Sequence, residues 1–257
     1  MKFILDAESV ETVLSSLSKG FECDLQSLTF FLRSIPIESF DKFSGVSDFA
    51  EYVFWMCCDH FGCHPIMRGF YVFHLTRTNK DNFFEEGLLP LNSAKKYLLP
   101  LVEKSIPIHA KEDFFKMKES FLSSCLKSEA SEQGPCGFLI KEEALFQSNI
   151  KYNFLDMPEI VKDGCDAFRA KFEYDIENFI SNYLNENLVP KVVKFYALNK
   201  GDYDDFFMKY LMYYVWIRLN GFPVDYKRNC DFFTFSNMGE VVDKIIYVEN
   251  VDLEFKK

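Results

Sequence analysis

GFYVFHLTRTNKDNFFEEGLLPL, residues 69–91, is the stretch on which the reading of this chain turns. Its first eight residues are dense in aromatic and β-branched side chains and are bounded by Gly69, which favours a strand. Alternation along that strand sets Tyr71, Phe73 and Leu75 on one side and Val72, His74 and Thr76 on the other, with Arg77 just beyond. Thr78 to Asp81 then open a short helix over NKDNFFEEG, closed by Gly87 in the position where helices stop. A strand end that gives way to a helix is where open sheets present ligands. His74 and Thr76 are placed there to meet ribose hydroxyls or a pyrophosphate, and Arg77 is the natural fork for a phosphate. The plainer reading of the same residues is a satisfied core histidine, a surface ion-pair partner and a helix cap.

On the amino-terminal side the sequence reads as helical. Asp6 and Ser9 cap a helix through Leu17 that Gly20 ends, a second helix covers about Leu25 to Arg33, and a third starts near Ser47. On the carboxyl-terminal side, helices are expected at about Ser93 to Lys104 and Asp113 to Lys127. Two longer ones are expected near Asp166 to Leu184 and Asp202 to Leu219. Strands are expected at CGFLIK (136–141), KVVKFYAL (191–198), CDFFTF (230–235) and KIIYVENV (244–251), and SEASEQGPCG (128–137) marks a loop. The expected fold is α+β: a helical amino-terminal part, residues 1–65, followed by a mixed β-sheet with inserted helices, residues 66–257, in one domain.

Composition narrows the classes. Of the 257 residues, 30 are Phe and 48% are hydrophobic, which excludes intrinsic disorder and places most of the Phe in a core. A formal net charge of −10 with no basic stripe argues against nucleic acid as an electrostatic partner. The longest apolar runs, YVFWMCC and LMYYVWI, fall well short of the roughly 20 residues that cross a bilayer. The amino terminus has only Phe3, Ile4 and Leu5 in an apolar row, so the expectation is a cytoplasmic protein with reduced, mostly buried cysteines and no membrane partner.

Two cysteine motifs carry chemistry of their own. CCDHFGCH offers Cys57, Cys58, His60, Cys63 and His64, all zinc-ligand types, but in one short stretch with no second pair elsewhere. A buried helix end with free thiols is the competing reading, and no metal is assigned. Cys136 in GPCGF is a nucleophile only if the fold brings a histidine, His109 or His74, beside it.

His74-x-Thr76-Arg77, followed by an amphipathic stretch ending in Gly87-Leu88-Leu89, resembles the first motif segment of ADP-ribosyltransferase-like proteins. In that superfamily a strand bearing His or Arg precedes a short helix and a Gly-Leu turn. The resemblance covers about twenty residues. It implies NAD as substrate, with His74 anchoring a ribose hydroxyl, Arg77 on the diphosphate, and Thr76 among the residues that bind it. It further implies Tyr152 stacked on the nicotinamide, and a catalytic Glu that is either Glu240 or Glu159. A bacterial toxin or defence effector is the role such folds often serve. The alternative is a non-catalytic interaction module whose aromatic-rich surface binds a protein partner.

Overall fold

The serine at position 9 does what its residue type predicts. Its side chain accepts from the Thr12 amide while the Thr12 hydroxyl accepts from the Ser9 amide, and this reciprocal cap starts α1, Val10–Gly20. Asp24 caps α2, Leu25–Ser34, by accepting from the Ser27 amide and hydroxyl. α3 spans Val46–Phe61 and stops at Gly62 in the left-handed region. A computed structural model describes residues 2–82, 84–122, 134–147, 155–199, 204–222, 234–236 and 241–251. The chain is α+β with a mixed sheet, as the sequence implies. Its strands are β1 (Lys2–Leu5), β2 (Ile66–Thr78), β3 (Cys136–Phe138), β4 (Val189–Leu198), β5 (Thr234–Ser236) and β6 (Ile245–Asn250). They join in the order β5-β3-β2-β4-β6, with β1 on β2.

The residues group into two compact units, and β2 and β4 supply residues to both. The first comprises Met1–Val72, Phe138–Glu143 and Tyr196–Thr234. Here α3 packs on α9, Asp204–Leu219, in which every residue from Tyr210 to Ile217 is buried. A helix that is apolar all round belongs inside a core. The Phe49 and Trp216 rings meet at 4.6 Å, and the Trp216 indole donates to the Ile35 carbonyl. β1, which the sequence reading left inside a helical region, runs parallel to β2 with Leu5 opposite Phe70. Four residues carry too short an alternation to be read unaided. Gly69 lies inside β2 rather than bounding it: a Cβ there would come 2.4 Å from the Tyr196 hydroxyl and 2.6 Å from the Ala197 carbonyl.

The second unit comprises Phe73–Gly137, Ala144–Phe195 and Phe235–Lys257. Its core is built by α4 (Leu91–Ser105), α5 (Lys111–Phe121), α7 (Glu159–Phe172) and α8 (Glu177–Asn187). Phe114, Phe121, Val161, Phe168, Ile180 and Leu184 are fully buried there. α6, Lys141–Gln147, follows β3. β4 pairs antiparallel with β6, Lys191 opposite Asn250.

Three expectations change. Residues 79–82 and 84–87 form turns, not a helix: Asn82 accepts the Phe84 amide on its side chain and donates to Thr78, and Phe84 takes a positive φ of 57°. Side chains of this kind compete for the donors a helix needs. Gly87 accordingly is no helix cap. It turns at φ 79° and brings the chain against Val242, with which Leu88 exchanges both backbone hydrogen bonds. The single helix expected over 166–184 is two, broken at Glu173, which adopts φ 62°. The strand expected over 136–141 ends at Phe138 because Lys141 opens α6, its amide donating to the Ala7 carbonyl.

Candidate functional site

The β2 strand carries the site, and its alternation is visible in burial. Phe73, Leu75 and Arg77 are buried, while His74, Thr76 and Thr78 on the other face stay partly exposed. His74 and Thr76 are two residues apart, so about 6.6 Å separates their positions along the strand.

The His74 ring is fixed by β3. Its Nδ1 lies 2.5 Å from the main-chain carbonyl of Cys136. A carbonyl only accepts, so Nδ1 carries the proton and the neutral ring presents Nε2 as an acceptor. Burial holds the His74 pKa below the ordinary imidazole value, with the Cys136 carbonyl opposing that shift. The neutral tautomer is therefore the form at neutral pH. His74 meets Cys136 through this carbonyl, while the Cys136 thiol is exposed. His109, the other histidine considered for that thiol, packs instead against the rings of Tyr174 and Phe179.

Arg77 has a different job from the phosphate fork expected of it. It is only 6% exposed, and its guanidinium donates to the carbonyls of Leu155 and Leu188, the latter at 3.2 Å. Asp156 stands 4.0 Å away, and Nε has no hydrogen-bond partner. Burial lowers the Arg77 pKa and Asp156 works against that. With both terminal nitrogens on backbone oxygens, Arg77 braces the end of β2 to the residues before α7 and after α8.

Sequence reading missed a second buried cation. Lys191 is 1% exposed, and its ammonium donates to the carbonyls of Lys80 and Asn82, each at 2.8 Å, which closes the turns after β2 onto β4. Burial lowers its pKa, and Asp81 opposes the shift. Lys194 lies over the rings of Phe73 and Tyr247, 5.6 Å from each. The available signal was two lysines inside an otherwise apolar strand, VPKVVKFYAL.

Glu159 begins α7, partly buried, where the helix dipole favours a carboxylate. Tyr152 and Glu240 lie outside the described residues.

In CCDHFGCH, Cys57 and Cys58 are buried at the end of α3, and burial raises both thiol pKa values, Cys58 to about 11. His60 stacks on Phe31 at 4.1 Å, and His64 lies 3.3 Å from Asp205. Among the described residues no group of three or more His, Cys, Asp or Glu is placed to hold a metal ion. No helix among them is long and apolar enough to cross a membrane.

A further polar cluster sits in the first unit. Tyr214 donates to Glu142 at 2.7 Å, Arg218 approaches the same carboxylate at 3.3 Å, and Lys141 pairs with Glu8 at 3.3 Å. Glu143 beside them is 1% exposed, and its Oε2 has no hydrogen-bond partner. Comparison of the chain with protein-family models, with curated proteins and with solved structures finds no match.

Proposed function

We propose that this chain is a cytoplasmic, ADP-ribosyltransferase-like protein that takes NAD as substrate at the β2 strand. One observation carries the reading: His74 is locked by the Cys136 carbonyl in the tautomer that leaves Nε2 an acceptor, beside the Thr76 hydroxyl on the partly exposed face. A fixed acceptor with a hydroxyl neighbour suits the vicinal hydroxyls of a ribose, because no ordering of the ring remains to be done on binding. Arg77 supports the strand rather than the diphosphate. In the implied reaction the bond between ribose and nicotinamide breaks with its electron pair leaving on nicotinamide. A carboxylate, Glu159 or Glu240, stabilises the oxocarbenium-like charge that develops. Tyr152 would stack on the departing ring. A toxin or defence role belongs to the same proposal.

Isothermal titration with NAD tests it. Binding is expected for wild type, with affinity weakened roughly tenfold or more in His74→Ala, the loss of about one hydrogen bond. A folded wild-type protein that gives no heat with NAD sinks the reading.

The second reading, an interaction module, has its own observation. Ile108 is 87% exposed, and the adjoining His109 ring packs on the half-exposed Phe179 at 5.9 Å, an apolar surface within the second unit. A protein that ignores NAD but loses a protein partner on Ile108→Ser favours this one.

A further inference from the structure

Cys23 and Cys63 occupy equivalent places at the ends of two helices. After α1 the chain turns at Glu22, φ 53°, whose amide donates to the Lys19 carbonyl, while the Cys23 amide donates to Ser18 at 3.0 Å. After α3 it turns at Gly62, φ 63°, and the Cys63 amide donates to Cys58 at 3.3 Å. In each case the longer closing bond of a Schellman turn falls on a cysteine. These two turns face one another: the Cys63 Sγ lies 3.5 Å from the Gly20 carbonyl, and the rings of Phe21 and Phe61 meet at 5.8 Å. Both thiols are free and half-buried, whereas Cys57 and Cys58 are buried. Burial raises the Cys23 pKa, and the charges of Asp24 and Cys63 add to the shift.

We propose that Cys23 and Cys63 are a dithiol modification site, oxidised by a peroxide to a disulfide that joins the ends of α1 and α3. The Cys63 thiolate attacks a peroxide oxygen, the O–O bond breaks, and the leaving hydroxide takes up a proton as water. Cys63 is then a sulfenic acid. The Cys23 thiolate attacks that sulfur, the S–S bond forms, and hydroxide leaves with the Cys23 proton as a second water. Two thiols have lost two protons and two electrons, and hydrogen peroxide has gained them. The bond requires Cα atoms within about 7 Å, and both partners lie on the turns that follow their helices rather than within them. The proposal is independent of the NAD reading.

The test uses the full chain treated with hydrogen peroxide under native conditions, then alkylated. Cleavage on the amino side of aspartate separates Cys23, in residues 6–23, from Cys63, in residues 59–80, and leaves Cys57 and Cys58 on a third peptide. The expected result is a linked 6–23/59–80 pair lighter by two hydrogens, with a rise in Tm that dithiothreitol reverses. Cys23→Ser and Cys63→Ser each abolish the link and the rise, and Cys136→Ser leaves both. Oxidation confined to Cys136, or sulfinate on Cys63 without a linked pair, overturns the proposal. So does an equal yield of the pair from urea-unfolded protein, since the fold would then not direct it.

Discussion

Replacing Glu143 by glutamine is expected to flatten the pH dependence of stability in the first unit. Glu143 lies in the first turn of α6 with Oε2 unpartnered, and burial, with the Glu142 charge beside it, pushes its pKa up to about 8 from an ordinary 4.5. Glu142 is the charge beside it, and Tyr214, which donates to Glu142, also interacts with Glu143. Between those two pKa values the folded state holds a proton that the unfolded state has released. Its stabilising contribution is therefore complete below about pH 4.5 and is lost as pH rises to about 8. At about 1.4 kcal/mol per pH unit, wild type loses about 3 kcal/mol between pH 5 and 7.5 from this group alone. Glutamine keeps the shape and carries no charge, so any constant cost of its buried amide cancels when the two pH values are compared. Urea unfolding at several pH values, followed by tryptophan fluorescence, reads the right unit, because Trp55 and Trp216 both lie in it. Stability curves that run parallel for wild type and Glu143→Gln from pH 5 to 7.5 would refute the reasoning.

Other substitutions test the supports of the site and the packing. Arg77→Lys keeps a charge but loses one arm of the fork, and should cost about 2 kcal/mol in urea unfolding followed by circular dichroism. Gly164→Ala places a Cβ 2.6 Å from the Phe121 ring and 2.7 Å from its carbonyl, so it should lower Tm. The overpacking cost of about 1–3 kcal/mol outweighs the helix gain of alanine. Glu173→Gly relieves a left-handed residue between α7 and α8 and should raise stability by about 1 kcal/mol in the same urea assay.

What the sequence disclosed depended on whether the signal was local. The caps of α1 and α2 and the strand density of β2, β4 and β6 are local, and their elements lie where they were expected. The break at Glu173 had no such signal: Phe168, Phe172, Ile176, Ile180 and Leu184 repeat every four residues straight through it, and neither Gly nor Pro marks the stop. The pairing of His74 with Thr76 on one face followed from alternation alone. The same rule turns Arg77 to the opposite face, but what it meets there, carbonyls 78 and 111 residues further on, is set by tertiary structure. Lys191 was hidden for the same reason, since its two acceptors are main-chain atoms of a distant turn.

The paired cationic braces also bear on how the chain can be completed during synthesis. A nascent polypeptide that has emerged only as far as α7 would have Arg77 in hand but neither the Leu188 carbonyl nor the Lys191 ammonium that secures the turns after β2. Until those residues leave the ribosome, a guanidinium destined for the interior has half its acceptors, and water must serve it instead. The end of the His74 strand therefore gains its full set of braces only after β4 has been made, although it is among the first parts of its unit to be synthesised.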